Sequence, residues 1–381
     1  MRCIRFPTAS LLLLCAITCS HTATSYAAQS IGTVDWDIHG NAAGVYDDNL
    51  TSRNEDPLDD YLTRLSIGVD LINESPNHLL QFTGDISQDI FSQYDDFNNN
   101  AQRFFVNFEN YITKYDKLVL QNNFTNTEDP RNFEDTFGRE EGRYRYVRNN
   151  FSARYIRELQ KHLRLLIRYA NEFYNPSLAR IRESIRNQYG AGMEYDVTSN
   201  LTLQGDYEYG QREFNESQSA SWHGVYGGWK YAFAERLTWS LKAGVDFLEN
   251  FDGSNNANEN IESTIGYDYS ETTHLAIKIN KSVTANAYSE DLFDQWNISA
   301  SAQKELSERL SAQVTSFLYG EGEYERSGRK DEFVGLQVGF EYELTEDVLC
   351  YARYHLRDVD SSLESETYTK NTTSLGVQFS F

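Results

Sequence analysis

The amino-acid sequence predicts an all-β protein, a transmembrane antiparallel up-and-down β-barrel of about 18 strands, in the range of about 16 to 18. Three observations carry this prediction. The N-terminus has the features of an export signal. Apolar and polar residues alternate with a period of two in many segments of the chain. The connections between these segments alternate between short and long.

Residues 1–27 have the features of a signal peptide. Two arginines provide a basic start, residues 11–18 form an apolar stretch, and residues 25–27 (Ser-Tyr-Ala) form a small-x-small cleavage site. The apolar stretch is shorter than the ~20 residues that a membrane-spanning helix needs, and no later apolar run reaches that length. We therefore expect export from the cytoplasm, with residues 28–381 forming a single barrel domain.

Cysteine usage and charge exclude several classes of protein. Three of the four cysteines lie in the predicted signal peptide, so Cys350 has no partner for an intrachain disulfide, and a small disulfide-stabilised fold is excluded. The formal net charge of the whole chain is −23, which argues against nucleic acid as a partner. Abundant tyrosine and phenylalanine, with few methionines and prolines, favour β-strands over helices.

The alternation is clearest in the segment that begins at Leu237. Its apolar face consists of Leu237, Trp239, Leu241, Ala243, Val245 and Phe247, and its polar face of Thr238, Ser240, Lys242, Gly244 and Asp246. Such a segment fits a wall one residue thick, with hydrocarbon on one side and water on the other. A soluble β-sandwich or propeller also alternates, but typical strands have only about 5 to 6 residues, so the longer segments favour the barrel.

Eight short turns and nine longer polar connections separate the predicted strands. The turns are expected near residues 73–77, 114–117, 158–162, 197–200, 234–236, 270–273, 306–309 and 344–347. The longer connections are expected near residues 47–60, 94–102, 126–142, 174–185, 211–221, 249–260, 284–294, 320–331 and 357–367. Together they join eighteen strands, an even number that lets the first and last strands pair and close the barrel.

The C-terminal sequence carries a family pattern. Residues 374–381, SLGVQFSF, alternate apolar positions and end in Phe381, which resembles the signal that the barrel assembly machinery of the outer membrane reads. The preceding stretch GFEYELTEDVLCYARYHLRDVDSS, followed by YTKNTTSLGVQFSF, resembles the last hairpins of outer-membrane β-barrel porin families that are often found near exopolysaccharide export genes. The resemblance implies a channel in the outer membrane of a Gram-negative cell, with exported polysaccharide as one cargo. It implies no catalytic residues.

Basic residues are concentrated in one part of an acidic chain, because residues 131–186 contain 13 of its 34 lysines and arginines. If the apolar residues of each strand face lipid, one set of charged residues lines the pore. These candidates are Arg148, Arg154, Arg164, Arg168 and Arg186, with the acids Asp206 and Glu208. One interpretation is an arginine ladder that attracts anionic solutes or an acidic polysaccharide. The other is structural pairing with inward acids such as Glu194 on the following strands, and both stay open.

Arg143 and Arg145 fall on the lipid-facing phase, above the predicted apolar band. There they are candidates for contact with lipopolysaccharide phosphates, which together with membrane lipid would be partners of the barrel. A solvated loop charge is the alternative for both. The acidic stretch of residues 47–60 lacks the fixed spacing of a calcium loop, so we expect no metal site and no cofactor.

We expect an outer-membrane porin-like channel rather than an enzyme. The six histidines that follow the signal peptide show no serine or acid at a recognisable catalytic spacing. The alternative is a non-conducting structural or adhesive barrel whose outer loops bind a ligand. An outer-membrane hydrolase is the third interpretation, and it would need a histidine clustered with a serine or an acid at the outer rim.

Overall fold

The computed structural model describes residues 29–31, 34–128, 143–179, 181–215, 219–234, 236–285, 287 and 290–381. The predicted signal peptide and its cleavage site lie outside the described residues. Within this part of the chain no helix is long and apolar enough to cross a membrane. Almost all of the regular structure is β-strand, with two one-turn helices in the connections.

The wall consists of eighteen long strands, β2–β19, and a three-residue strand, β1, precedes them. The strands are β1 (Gln29–Ile31), β2 (Val34–Asp47), β3 (Asp60–Glu74), β4 (His78–Phe91), β5 (Asn99–Thr113), β6 (Asp116–Thr127), β7 (Tyr146–Gln160), β8 (Leu163–Pro176), β9 (Ser184–Asp196), β10 (Leu201–Phe214), β11 (Ser219–Ala234), β12 (Leu237–Glu249), β13 (Asn255–Ser270), β14 (Thr273–Ala285), β15 (Leu292–Ser307), β16 (Leu310–Tyr324), β17 (Lys330–Thr345), β18 (Val348–Ser361) and β19 (Tyr368–Ser380). The one-turn helices are Asp95–Phe97 and Glu364–Glu366.

Each long strand pairs antiparallel with the next, and the last strand, β19, pairs with β2. The register at this seam runs from Thr372 opposite Asp47 to Ser380 opposite His39. In lipid, every backbone N–H and C=O must find a partner within the protein, and closure leaves no free sheet edge. The predicted fold class, a closed antiparallel barrel of eighteen strands, is confirmed.

All eight predicted turns are confirmed, and they lie at one end of the barrel, the turn end. The nine longer connections lie at the opposite end, the loop end. Several are shorter than predicted: β10 ends at Phe214 and β11 begins at Ser219, although composition predicted a connection over residues 211–221. Polar side chains alone do not end a strand. Hydrogen bonds between neighbouring strands satisfy the backbone N–H and C=O groups outside the membrane as well as within it. In outer-membrane barrels the short turns face the periplasm.

The two faces of the wall differ in exposure, as the alternation predicts. In β12, Val245 and Phe247 are 39% and 54% exposed, whereas Asp246 and Leu248 are 2% and 3% exposed. In β8 the apolar Ile167 is 49% exposed. Side chains of one parity therefore face outwards, where they contact lipid, and side chains of the other parity face the lumen, the space that the wall encloses.

The position of Ile167 on the outward face, near the middle of β8, gives a test of this orientation. Ile167→Arg places a charge in hydrocarbon and should lower the free energy of unfolding by about 2–4 kcal/mol. Gln188→Arg on the inward face of β9 should cost much less, because Gln188 already contacts the Glu208 carboxylate at 2.8 Å. Urea unfolding of the barrel in lipid vesicles measures both variants, and equal losses would contradict the assigned faces.

Candidate functional site

The five predicted arginines lie in one sector of the inward face, on the neighbouring strands β7, β8 and β9. They alternate along these strands with outward residues such as Ile167 and Tyr189, which are about half exposed. They occupy three levels between the turn end and the loop end. These levels hold Arg164, then Arg154 and Arg168, then Arg148 and Arg186.

At the turn end, Arg164 is paired with two carboxylates. Its Nε lies 3.1 Å from Glu194, and its two terminal nitrogens each lie 2.8 Å from an oxygen of Asp196. Such a forked contact suits the planar guanidinium group. Glu194 also accepts a hydrogen bond from Lys230 on β11 at 2.7 Å. Two cations and two carboxylates therefore balance at this level.

In the middle of the wall, Arg168 reaches past one strand to the next. Its Nη2 lies 2.6 Å from Asp206 and 3.4 Å from Glu208, both on β10. The residue that faces Arg168 on β9 is Gly190, and the absence of a side chain there leaves room for the arginine to cross. Glu208 also accepts from Lys242 on β12 at 3.0 Å. Arg168, Asp206 and Glu208 thus form the middle of a charge network that spans β8–β12.

Arg154 is the exception at this level. It stands directly opposite Arg168 in the register of β7 and β8, so two like charges face each other. No described side chain forms a hydrogen bond or an ion pair with its guanidinium, and its Nε is buried without a hydrogen-bond partner. A cavity of about 180 Å³ lies beside it, lined also by Gln121, Ser152 and Gln188. A guanidinium that forms no ion pair, beside amide and hydroxyl groups, is chemically suited to an anion that carries hydroxyls.

Nearer the loop end, three arginines share one carboxylate. Glu172 lies 2.9 Å from Arg148 and 3.6 Å from Arg186, and Arg212 on β10 contacts it directly. Arg212 also donates to the Ser184 hydroxyl at 2.8 Å. Glu172 and Arg212 are almost fully buried, whereas the side chains of Arg148 and Arg186 are 26% and 31% exposed. Among these four side chains, positive charges outnumber negative charges by two, and the two partly exposed guanidinium groups contact the lumen.

Sequence reasoning missed several members of this network. These members are Glu172, Arg212, Lys230 and Lys242. Each lies at an inward position of its strand, so the alternation of that strand would have predicted that its side chain faces the lumen. The pairing itself depends on the register between strands, which a single strand's sequence does not contain.

Buried apolar side chains line the loop end of the lumen. The inward positions nearer the turn end are mostly polar. One cluster contains Phe293, Leu318, Tyr324, Phe333, Val359 and Tyr368. Another joins Val45, Leu62, Phe91 and Tyr351 to Leu58, Tyr94 and Phe97 of the connections. Because the connections contribute to this packing, they fold inwards at the loop end.

The tip of the β14–β15 hairpin also leaves the wall. β13 and β14 are paired only as far as Ile261 opposite Lys281, although β14 and β15 stay paired to Ala285 opposite Leu292. Val283, Ala285 and Leu292 are buried against side chains of other strands and their connection. These are Phe214, Ala220, Leu248 and Phe251. We call the described residues between 282 and 292 the inward tip, since this packing places them inside the wall, against β10–β12.

The two candidates for lipopolysaccharide contact have different surroundings. The side chain of Arg143 is only 6% exposed, and its guanidinium stacks over the ring of Phe91, an inward residue, at 4.9 Å. This position differs from the predicted lipid-facing one, because β7 begins only at Tyr146 and its phase does not extend to residue 143. Arg145 is exposed and donates to Asn126 at 3.0 Å. Contact of Arg145 with lipopolysaccharide stays a prediction.

Phe381 lies at the turn end beside the closing seam. Its backbone N–H donates to the carbonyl of Ile38 at 2.8 Å, and its ring is 68% exposed. The described geometry leaves the ring open to contact from outside the barrel. Recognition by the assembly machinery stays a prediction.

A substitution at Glu172 tests how much the cluster of Glu172, Arg148, Arg186 and Arg212 stabilises the barrel. Glu172→Gln removes the carboxylate that Arg148, Arg186 and Arg212 share and should lower the free energy of unfolding by about 3–5 kcal/mol, because the buried guanidinium of Arg212 loses this counter-charge. Glu323→Gln is the control, since Glu323 and Lys330 form an exposed pair at 3.2 Å, and such pairs are worth about 0–1 kcal/mol. Urea unfolding of both variants measures the difference, and a loss at Glu172 no larger than at Glu323 would contradict the cluster's role.

Comparison with known proteins agrees with the fold. Residues 261–381 match the family described as "Putative beta-barrel porin 2", and no curated protein matches the chain. Among solved structures, Pseudomonas aeruginosa OccK2 (OpdF) in complex with glucuronate aligns with a TM-score of 0.50 and 9% identity over 91% of this chain and 98% of that chain. Acinetobacter baumannii OccAB3 aligns with a TM-score of 0.49 and 10% identity over 92% of this chain and 100% of that chain. Residues 261–381 therefore resemble an outer-membrane β-barrel porin family, as the sequence predicted, and the whole chain has the fold of a closed antiparallel β-barrel.

Proposed function

We propose that the barrel is a channel for anionic solutes, and that the basic sector of its inward face filters them by charge. The observation that carries this proposal is Arg154, whose guanidinium forms no hydrogen bond or ion pair with the described side chains and borders a cavity in the inner wall. An arginine that only stabilised the wall would be expected to meet a carboxylate, as Arg164 and Arg168 do. Arg154 is therefore available to an anion that moves through the lumen.

The other arginines support passage rather than tight binding. Because Arg164 and Arg168 are compensated by carboxylates, they contribute only a moderate field. The cluster around Glu172 has a net positive charge and lies nearer the loop end, where an anion entering from outside would meet it first. Conduction requires binding that is favourable enough for entry and weak enough for exit. Arg154, which forms no ion pair with the described residues and lies beside arginines that are paired with carboxylates, meets this requirement.

The cargo we favour is a small acid with hydroxyl groups. Its carboxylate would accept hydrogen bonds from Arg154, and its hydroxyls would contact Gln121, Ser152 or Gln188 around the cavity. Glucuronate has this chemistry and is the ligand in the OccK2 complex, so it serves as a probe. Passage of an exported acidic polysaccharide uses the same chemistry, and the inward tip is the feature that such a chain would have to pass.

A non-conducting structural or adhesive barrel is the second candidate, and the packing at the loop end favours it. Arg182 Nη1 lies 2.9 Å from Glu290 Oε1, which links the connection after β8 to the inward tip. Ala287 of the tip packs beside Leu178 and a buried group of tyrosines. If these contacts seal the mouth, the barrel passes nothing and its loops act outside the cell.

Single-channel recording of the refolded barrel in a planar bilayer tests the two candidates. The channel should give steady current steps, and a salt gradient should give a reversal potential of the sign that anion preference requires. Arg154→Gln should lower the anion-to-cation permeability ratio several-fold, because a unit charge about 4 Å away in water is worth ~1 kcal/mol, which is roughly fivefold. Arg154→Lys, which keeps the charge, should retain most of the ratio.

Arg157→Gln is the matched control, since Arg157 is on the same strand but its side chain is 54% exposed near the turn end. It should leave the ratio unchanged. Glucuronate added to one side should reduce the open-channel current of the unmodified barrel more than that of the Arg154→Gln barrel. Absence of conductance at every voltage would overturn the channel in favour of the adhesive barrel. Conductance with equal selectivity in all variants would overturn the role of Arg154.

A further inference from the structure

A second group of polar side chains lies on the inward face at the turn end, in the part of the wall next to the closing seam. Asp37 and His39 are on β2, and Asp70 is on β3. One potential ligand atom from each of the three residues lies within 4.8 Å of those of the other two. None of the three belongs to the arginines on β7–β9 or to their charged partners on β9–β12. The group therefore has no part in the function proposed above.

One contact in the group has the spacing of two ligands on the same cation. His39 Nδ1 lies 3.2 Å from Asp70 Oδ2. Two ligands at ~2.0–2.2 Å from the same metal ion, the range for imidazole and carboxylate ligands of zinc, lie about 3 Å apart. Asp37 stands directly opposite Asp70 in the register of β2 and β3. Like charges that face each other across strands repel, and a cation between them reverses the sign of that interaction.

The surrounding residues hold the ligands in these positions. The residue opposite His39 on β3 is Gly68, and a Cβ at Gly68 would lie only 2.2 Å from His39 Nε2. The imidazole therefore occupies space that any other residue at position 68 would fill. The hydroxyl of Thr83 on β4 donates to Asp70 Oδ1 at 2.6 Å, so one carboxylate oxygen is fixed while the other faces His39. Such outer contacts commonly orient metal ligands.

We propose that Asp37, His39 and Asp70 bind a divalent transition-metal cation such as Zn²⁺ at the turn end of the lumen. One imidazole and two carboxylates suit such an ion better than Ca²⁺ or Mg²⁺, which prefer oxygen ligands throughout. Sequence analysis predicts no metal site here, because Asp70 lies on a different strand and is distant in sequence from the other two residues. The bound ion would offset the acidic charge of this end of the lumen.

Isothermal titration of the refolded full barrel in detergent with ZnCl₂ tests the proposal. One equivalent should bind. His39→Gln and Asp70→Asn should each weaken binding by roughly tenfold or more, since even changes to outer contacts of metal sites commonly cost about 10–100-fold. Asp37→Asn provides a third variant that leaves the contact between His39 and Asp70 in place. Co²⁺ gives an independent readout, because its visible absorption should change on binding and lose that change in the His39→Gln barrel.

His274→Gln is the matched control. His274 Nδ1 lies 2.7 Å from Asp268 Oδ1, also in an exposed position at the turn end, and no third ligand joins this pair among the described residues. Its variant should bind Zn²⁺ as the unmodified barrel does. Heat-modified mobility on gels checks that every variant is folded. Unchanged Zn²⁺ affinity in folded Asp37→Asn and Asp70→Asn barrels would overturn the site. So would loss of the bound Zn²⁺ in the His274→Gln control. Neither result bears on ion selectivity at Arg154.

Discussion

The constraint on which the rest of the structure depends is the pairing of every backbone polar group inside the membrane. Because lipid offers no hydrogen-bond partner, the sheet must close, and β19 meets β2 to do so. A closed sheet is one residue thick, so each side chain faces either lipid or the lumen. The charged residues of the wall have one favourable direction, inwards, and their interactions follow from being gathered there.

Gathering charges on a curved inner face brings residues together that are far apart in sequence. Neighbouring strands are ~4.8 Å apart, so a long arginine can reach the second strand along, as Arg168 does when it contacts Asp206 and Glu208. Arg164 and Arg168 are neutralised by such contacts. Arg154 faces Arg168 rather than a carboxylate, and it forms no ion pair with the described residues. The same principle places Asp37 opposite Asp70 on the two strands beside the seam.

The sequence predicts what a single strand or turn encodes and little of what depends on two strands. The eight turns and the inward parity of Arg164 and Arg168 could be predicted, because turn residues and period-two alternation are local. The partners Glu172 and Asp70 could not, because register is a relation between strands. The alternation of β7, if continued back to Arg143, predicts that Arg143 faces lipid. The strand begins only at Tyr146, so the alternation does not apply to Arg143.

The lumen changes character along its axis, and this order bears on how a channel would work. The loop end is narrowed by apolar packing and the inward tip. Below it lie the cluster of three arginines at Glu172 and then the level at which Arg154 faces Arg168. An anion that passed the apolar mouth would lose water there, and the guanidinium groups that follow would replace part of its hydration. Because Arg164 and Arg168 are paired with carboxylates, this attraction would be weak, and the proposed channel would release the anion rather than hold it.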